Sequence, residues 1–417
     1  MSGRLLRDAP WLNSGPAGRV LELLNRGGEE ARVVGGAVRN ALLNIPVGDI
    51  DIATTAMPDE VIRRAGSAGI RSVPTGIAHG TVTLVVEGQP FEVTTLREDI
   101  ETFGRKAKVA FGRDWARDAE RRDFTINGLS VSPDGTVHDH VGGLDDIAAR
   151  RVRFIGNPDQ RIAEDFLRIL RFFRIHAAFG AGEPDRDGYL ACIRGRGGLA
   201  GLSAERIRME MLKLLVADGA AQAAIAMEDG GLLLTLLGGI TYRGPLIAMI
   251  AAERLIGLKA DPVRRLGALG AVVTEDAKRL AIRLRLTNGE TRALESMADR
   301  WWRLAGIDEA AARRQLYRLG EPRYRDRLLL AWARAGRDAD PAPWRELATL
   351  PERWTAPKFP LRAADFKARG LADGPALGQA LALAEDAWLA ADFPLGKPEL
   401  AAIADHSAAC LAGDRQP

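Results

Sequence analysis

The sequence predicts an α+β protein, in which a small mixed-sheet domain is followed by an all-helical remainder. Between residues 32 and 131, short β-branched segments alternate with Gly and Pro turns, as strands do. After Gly156 the apolar residues recur every three or four positions, which is typical of one face of a helix. The predicted strands are Arg32–Val34, Ile50–Ile52, Thr81–Val86, Phe91–Leu96 and Leu129–Val131, and the first long helices are Asp159–Phe179 and Ser203–Ala217.

The chain is long enough to bury more than one core. It has 417 residues, of which 47% are hydrophobic and 27% charged, so two to four domains are expected. The change of pattern and the later Pro-rich stretches predict four segments: residues 1–135, 136–217, 218–350 and 351–417.

Charge and cysteine content narrow the class of protein. The formal net charge is +3, and Arg supplies most of the positive charge. This fits a polyanionic partner, and it fits a genome-wide preference for Arg over Lys equally well. Cys192 and Cys410 have no spacing typical of zinc or disulfides, which favours a reducing cytoplasm. The N-terminus lacks a signal-peptide core, and the apolar runs are shorter than the ~20 residues of a membrane helix, so no membrane partner is expected.

Two aspartates alternate with apolar residues in Gly48-Asp49-Ile50-Asp51-Ile52. On a strand, a period of two places Asp49 and Asp51 on one face. Paired hard oxygen ligands suit Mg²⁺, which can activate a hydroxyl and stabilise a leaving pyrophosphate. Taken alone, the pattern is more typical of two solvated aspartates at a strand edge.

A Gly-Gly turn precedes this acidic strand. Gly35 and Gly36 join a strand to a helix that carries Arg39 in its first turn. Glycines allow close approach of the backbone, and helix N-terminal amides attract phosphate. Ten to fifteen residues before an Asp-x-Asp strand, a triphosphate site is a better interpretation than a turn without a ligand.

Further polar candidates follow the acidic strand. Glu92 alternates with Phe91 and Val93 on a neighbouring strand and is the best-placed third carboxylate, although pairing with Arg97 is an equal alternative. A dense polar cluster comes next, and it can clamp phosphate or ribose or form a surface ion-pair network. Its candidate residues are Arg121, Arg122, Asp123 and Asn127.

The predicted helix Asp159–Phe179 carries a second acidic and basic set. Asp165 and Arg168 are three residues apart and therefore helical neighbours, with Arg171 and Arg174 further along. In isolation such a face is usually just solvated. If it meets a base, a carboxylate accepting from an exocyclic amine and a guanidinium donating to a ring nitrogen would accept C and A and reject U and G.

In their order and spacing, these motifs closely resemble the class II CCA-adding tRNA nucleotidyltransferase and bacterial poly(A) polymerase family. The resemblance rests on Gly35-Gly36-Ala37-Val38-Arg39, Asp49-x-Asp51, His79-Gly80-Thr81-Val82, Glu92-Val93-Thr94-Thr95, Arg121-Arg122-Asp123-Phe124-Thr125-Ile126-Asn127 and Glu164-Asp165-x-x-Arg168. It covers about residues 32–215, including a segment from Ser203 to Arg208 similar to the family's neck-to-body helix.

The resemblance implies a polymerase-β-type head, followed by neck, body and tail helices that hold the tRNA acceptor arm. It implies that Asp49 and Asp51 bind Mg²⁺ and that Gly36, Arg39 and the Arg122 cluster contact triphosphate or ribose. Asp165 and Arg168 would select the base, with Arg171 and Arg174 supporting them or touching phosphate. The implied reaction is attack of an RNA 3′-hydroxyl on the α-phosphate of CTP or ATP, without a nucleic-acid template.

The sequence departs from the family pattern at two positions. Asn40 stands where the family usually has Asp, which weakens a role for that side chain in holding Arg39, and Gly128 stands where it usually has Ala, which affects packing. The segment Arg97–Ala116 corresponds to the family's flexible loop, implicated in the switch from C to A addition, and it argues against an enzyme that stops after CC.

CCA addition is favoured within the family because Ala37 is small and the end of the chain, residues 401–417, is nearly neutral. Poly(A) polymerases commonly have bulkier, more basic residues at these places. The alternatives are a poly(A) polymerase, a non-catalytic RNA-binding protein and a small-molecule nucleotidyltransferase. No His-Asp doublet of a phosphohydrolase is present, so no accessory phosphatase activity is expected, and the sequence leaves the oligomeric state undefined.

Overall fold

The computed structural model describes residues 6–103, 106–336 and 339–412. These residues form two compact units, one ending at Gly238 and the other beginning at Gly239. The strands of the described residues all lie in the first unit, and the second unit is helical, which confirms the predicted α+β class. The strands are β1 Ala31–Val34, β2 Asp51–Thr54, β3 Arg71–Gly76, β4 Thr81–Val86, β5 Gln89–Thr95, β6 Arg97–Phe103, β7 Lys106–Phe111, β8 Ser130–Val131 and β9 Val137–His138.

The described strands make one mixed sheet of seven and a separate β6–β7 hairpin. The order in the large sheet is β3-β4-β5-β2-β1-β8-β9, and β2 and β5 are its parallel pair. Alternate residues of β4 are buried, among them Val82 and Leu84, because the sheet packs one face on helices. The parallel register places Asp51 opposite Glu92, with Ile52 and Val93 following as the next buried partners.

Twelve α-helices are described in the first unit. They are α1 Pro10–Asn13, α2 Gly15–Leu24, α3 Gly36–Leu42, α4 Pro58–Ser67, α5 Trp115–Glu120, α6 Gly143–Ala148, α7 Pro158–Glu164, α8 Leu167–Phe179, α9 Arg186–Gly195, α10 Ala204–Leu215, α11 Ala220–Asp229 and α12 Leu232–Leu237. Short 3-10 turns cover Ile77–His79, Thr125–Asn127 and Arg196–Gly201.

The aromatic face of α8 joins this helix to the sheet-bearing part of the unit. The ring of Phe124 lies 4.9 Å from that of Phe154, which stacks at 5.4 Å on Phe172 of α8. Phe172 in turn contacts Phe173 edge to face at 5.3 Å. Phe124 and Phe172 are fully buried, so the contacts among Phe124, Phe154 and Phe172 fix the rotation of α8 about its axis.

The prediction of one continuous helix over Asp159–Phe179 is wrong. The helix is broken at Asp165, whose φ and ψ of −155° and 107° are extended. The Asp165 carboxylate accepts a hydrogen bond from the Leu167 backbone N–H at 3.1 Å and another from Arg206 at 2.6 Å. These bonds replace the helical ones lost at the break. Asp165 and Arg168 were expected to lie on one helix, and they do not.

Among the other elements, some boundaries agree with the prediction and others differ. Thr81–Val86 has the predicted bounds, whereas β2 begins at Asp51, so Asp49 lies before the strand rather than on it. The sequence reading missed β3, the β6–β7 hairpin, β9 and α9. Strand β3 contains Pro74 and is largely exposed, so it lacks the alternation by which a strand is recognised.

The second unit is built from helices alone in its described part. They are α13 Arg243–Leu255, α14 Pro262–Gly270, α15 Thr274–Leu284, α16 Asn288–Ala298, α17 Glu309–Leu319, α18 Glu321–Arg334, α19 Pro341–Ala348, α20 Leu350–Arg353, α21 Ala363–Lys367, α22 Pro375–Ala390 and α23 Lys397–Ala412, with a 3-10 turn at Trp301–Leu304. Helix α18 is central, because its buried residues from Tyr324 to Ala333 form much of one apolar core. Phe366, Leu377 and Ala384 belong to another core near the C-terminus.

Among the described helices, none combines the length and the apolar composition needed to cross a bilayer.

Gly128 provides a test of packing in the first unit. A Cβ at this position would lie 2.6 Å from Cγ2 of Val141 and 3.3 Å from Ile155. Valine is β-branched and cannot swing aside easily. We therefore expect Gly128→Ala to lower the free energy of unfolding by about 1–3 kcal/mol, measured by urea denaturation.

The double variant Gly128→Ala/Val141→Ala is the matched control. It removes the obstructing methyl groups and should recover part of the loss relative to Val141→Ala alone. An undiminished loss in the double variant would contradict the packing explanation.

Candidate active site

The Gly-Gly turn lies where the sequence placed it, between β1 and α3. Gly35 has a φ of 72°, a conformation that favours glycine, and its N–H donates to the Leu129 carbonyl at 3.0 Å. A Cβ on Gly35 would lie 3.5 Å from an Arg122 nitrogen. Because the two glycines have no side chain, their backbone is accessible on the side where the neighbouring guanidinium groups lie.

Arg39 projects from α3 beside this turn and is only 8% exposed. Its Nε and Nη2 donate to Oδ1 of Asn40 at 3.2 and 2.8 Å, and its Nη1 donates to Oδ1 of Asn127. Asn40 thus holds Arg39 although it replaces the carboxylate usual in the family. Burial first, and the charge of Arg174 second, lower the pKa of Arg39 to about 10, so the guanidinium stays charged at neutral pH.

Carboxylates lie at the start of β2. Asp51 and Glu92 are register partners on adjacent parallel strands, so their side chains project from the same face of strands that are about 4.8 Å apart. Asp51 retains contact with solvent, yet desolvation by the surrounding protein raises its pKa. Repulsion from Glu92 raises the pKa further, Arg122 opposes the rise, and Asp49 adds a smaller repulsion.

The oxygen atoms of these carboxylates are suitable ligands for a divalent metal ion. Oxygen ligands whose charges repel one another gain from a cation between them. In the described residues, no three His, Cys, Asp or Glu side chains are already gathered as a ligand set. The fit therefore rests on adjacent Asp51 and Glu92, with Asp49 two residues before β2.

The Arg121–Asn127 cluster divides into two parts. Arg121 and Arg122 both pair with buried Asp118, at 2.6 and 3.0 Å. Burial would raise the pKa of Asp118, but the charges of Arg122 and Arg121 outweigh it and hold the pKa below its usual value. Asp123 pairs instead with Arg171 of α8 at 2.5 Å, so this cluster links the sheet domain to that helix.

Helices α8 and α10 supply the opposite wall. Arg168 pairs with Glu164 and donates to the Arg161 carbonyl at 2.6 Å, while Asp165 is held by Arg206. Asp165 and Arg168 therefore do not pair with each other, and both retain hydrogen-bonding capacity for a ligand. Arg174 donates to buried Glu210 of α10 at 2.5 Å.

Many of these groups line one cavity of about 520 Å³. Six basic and three acidic side chains line it. The cavity therefore favours an anion, and its three carboxylates can still accept hydrogen bonds from a ligand. The lining residues are Gly35, Gly36, Arg39, Asp51, Arg122, Asp123, Asn127, Asp165, Arg168, Arg171, Arg174, Ile175, Ala178, Phe179 and Lys213.

The cavity brings together most of the predicted site residues but not all of them. Asp49, Glu92 and Arg121 are not part of its lining. The sequence reading missed Ile175, Ala178, Phe179 and Lys213. Ile175 and Phe179 continue the face of Arg171 at spacings of four and eight residues, a signal that could have found them. No local pattern marks Lys213, which the packing of α10 beside α8 brings to the cavity.

A larger cavity of about 940 Å³ lies elsewhere in the first unit, between the end of α8, α9 and α11. Its lining is mostly apolar and contains His176, Tyr189 and Asp229, but none of the predicted site residues. The charge and chemistry of the smaller cavity make it the candidate active site.

A mixed sheet with a strand, Gly-Gly turn and helix, an acidic strand start and an arginine-rich cavity defines the head of a nucleotidyltransferase. Comparison with known proteins agrees with this class. The family described as "Poly A polymerase head domain" matches residues 31–153, and "Probable RNA and SrmB- binding site of polymerase A" matches residues 196–243.

Relatives extend the likeness to nearly the whole chain. The mitochondrial CCA tRNA nucleotidyltransferase 1 of Danio rerio is 33% identical over 93% of this chain and 89% of its own length. The CCA-adding enzyme of Limosilactobacillus fermentum is 34% identical over 88% and 90%. The crystal structure of the Bacillus stearothermophilus CCA-adding enzyme in complex with CTP is 27% identical, with a TM-score of 0.72 over 95% of this chain and 98% of that one.

The chain belongs to the family of CCA-adding enzymes and poly(A) polymerases, as its motifs predicted.

The raised pKa of Asp51 gives a stability prediction for the metal-free protein. Above both its unfolded and its folded pKa, the Asp51 charge is less favourable in the folded state than in the unfolded chain. Asp51→Asn removes that charge and should raise the melting temperature in EDTA at pH 7.

The gain should shrink as the pH falls through the raised folded pKa toward the ordinary value near 3.8, because Asp51 then becomes protonated in the wild-type protein. Thermal melts of both proteins across a pH series measure this. A gain that is constant with pH would show that packing, not charge, explains it.

Proposed function

We propose that this protein adds CCA to the 3′ end of tRNA, taking nucleotides from CTP and ATP, releasing pyrophosphate and using Mg²⁺. The observation that carries the proposal is a single cavity in which Asp51, a set of arginines, and Asp165 with Arg168 come together. Acid, phosphate-binding cations and base-reading groups are the three parts that template-independent nucleotidyl transfer requires. The names of the relatives that match nearly the whole chain support the same activity.

The triphosphate binds along the turn and the arginine-rich wall. Gly35 and Gly36 allow close approach of the backbone, and Arg39 and Arg122 lie beside them. Each of Arg122, Arg171 and Arg174 is already held by a carboxylate, so little side-chain freedom is lost when phosphate binds. Lys213 adds a positive charge on an exposed side chain.

Asp49 and Asp51 are the proposed Mg²⁺ ligands, with Glu92 as the adjacent third carboxylate. When bound, the ion would supply positive charge at the α-phosphate and favour loss of the proton from the RNA 3′-hydroxyl. In the reaction the 3′-oxygen bonds to the α-phosphorus, and the bond from that phosphorus to the pyrophosphate oxygen breaks. The arginines of the cavity hold the negative charge of the departing pyrophosphate.

Asp165 and Arg168 read the base. The Asp165 carboxylate, fixed by Arg206 and the Leu167 N–H, accepts from the exocyclic amine of cytosine or adenine. Arg168, fixed by Glu164, donates to the neighbouring ring nitrogen. Uracil and guanine would face each group with a like partner and leave buried groups unsatisfied, at about 1–3 kcal/mol each.

The remaining chain is proposed to grip the tRNA acceptor arm. On this view residues 1–135 form the head, 136–217 the neck, 218–350 the body and 351–417 the tail. The proposed location is the cytoplasm, in keeping with Cys192 and Cys410 both being free thiols.

The test is extension of tRNAs that end before C, after CC and after CCA, with CTP, ATP or both, in the presence of Mg²⁺. The proposal expects growth to CCA and no further. Long A tails on any RNA would assign poly(A) polymerase activity, and no extension by a protein that binds tRNA would assign a non-catalytic role. Asp51→Ala is the control, and it should abolish transfer while leaving tRNA binding largely intact.

Base selection has its own prediction. Arg168→Ala should lower the preference for CTP over UTP by about 5- to 150-fold, because one of the two discriminating groups is lost. Competition between CTP and UTP on a tRNA that lacks CCA measures the ratio.

Arg194→Ala is a matched control. Arg194 is an exposed arginine paired with Asp159 at 2.7 Å, and it is not part of the cavity lining. The preference for CTP should be unchanged in this control, and an unchanged preference in Arg168→Ala would rule out the proposed role of Arg168.

A further inference from the structure

An aromatic side chain lies against the guanidinium of Arg39 in the candidate active site. Phe179 is the last residue of α8, is half-buried and lines the same cavity. The Cζ atom of Arg39 lies 3.7 Å from the centroid of the Phe179 ring. This is direct contact of the cation with the ring face, the geometry of a cation–π pair.

The ring completes the set of contacts that fix Arg39. Asn40 holds one edge of the guanidinium and Asn127 another, while Phe179 covers a face. The bonds to Asn40 and Asn127 use three donors, so two of the five N–H groups of a guanidinium remain for a ligand. The ring therefore restrains Arg39 without competing for the donors that a phosphate needs.

The charge of Arg39 also needs such a partner. Within the described residues, no carboxylate lies within ion-pair distance of Arg39, whereas Arg122, Arg171 and Arg174 each have one. Arg39 is nearly buried, and the repulsion from the charge of Arg174 exceeds the attraction from Asp123. The negative face of an aromatic ring offsets part of this cost and leaves the net positive charge for an anion.

We propose that Phe179 is a positioning residue that orients Arg39 toward the phosphates of the incoming nucleotide. This inference rests on the proposed function, in which Arg39 binds the triphosphate. Arg168 near the start of α8 faces the base, and Phe179 at its end supports the phosphate site about 16 Å further along the axis. One rigid helix thus sets the distance between the two ends of the nucleotide site.

The test is steady-state extension of a tRNA lacking CCA by Phe179→Leu and Phe179→Met, which remove the ring but keep an apolar side chain. The KM for CTP and ATP should rise about 3- to 20-fold, with a smaller change in kcat. Inhibition by inorganic pyrophosphate should weaken by a similar factor, because the same arginine holds those phosphates. Phe179→Tyr keeps the ring and should have a KM close to the wild-type value.

Phe173→Leu is the matched control for general packing. Phe173 is a fully buried residue of the same helix and does not line the cavity. This variant should lower thermal stability without moving the KM for nucleotide or the pyrophosphate inhibition. If Phe173→Leu reproduced the effects of Phe179→Leu, the positioning role would be overturned.

Action through Arg39 is tested by combining variants. Arg39→Ala/Phe179→Leu should have a KM within about twofold of that of Arg39→Ala alone, since the ring then has no cation to orient. Additive losses, or an unchanged KM in both ring-removing variants, would overturn the inference. A wild-type protein that fails to extend tRNA would instead overturn the proposed function, so the two failures are distinguishable.

Discussion

The candidate active site depends on how α8 is rotated against the sheet domain. Phe172 packs this helix against Phe124 and Phe154, and the helix then presents its arginines to the cavity beside the Gly-Gly turn. Aromatic rings of this size tolerate little rotation once they are packed. The hydrophobic core of the first unit therefore decides which polar groups meet the substrate.

Most of the carboxylates that hold the arginines of the site lie outside the cavity lining. Asp118 and Glu210 are almost fully buried, and each holds an arginine that reaches the cavity. Buried carboxylates are costly unless paired, so the arginines are kept in place by the same contacts that make the acids tolerable. A site arranged in this way is ready for phosphate before any nucleotide arrives, which is the basis of electrostatic preorganisation.

Sequence patterns predicted the parts of this protein that depend on local order. The alternation in Thr81–Val86 and the spacing of Gly35, Gly36 and Arg39 follow from short-range rules, and both appear in the structure. The break at Asp165 could not be predicted in this way, because one of its stabilising partners, Arg206, lies 41 residues away. Helix α9 was missed since Gly188 and Gly195 resemble loop residues, although each packs against bulky side chains of its neighbours.

Changes in the β6–β7 hairpin and changes in the paired strands β2 and β5 have different consequences for the active-site acids. Asp51 and Glu92 are aligned within β2 and β5, and a one-residue shift in either strand would turn one carboxylate to the other face of the sheet. The β6–β7 hairpin begins only at Arg97, after the last register pair, Thr54 with Thr95. Insertions or deletions in that hairpin can therefore alter its length and reach without disturbing the alignment of the acids, so this segment is free to diverge while the chemistry of the strands stays fixed.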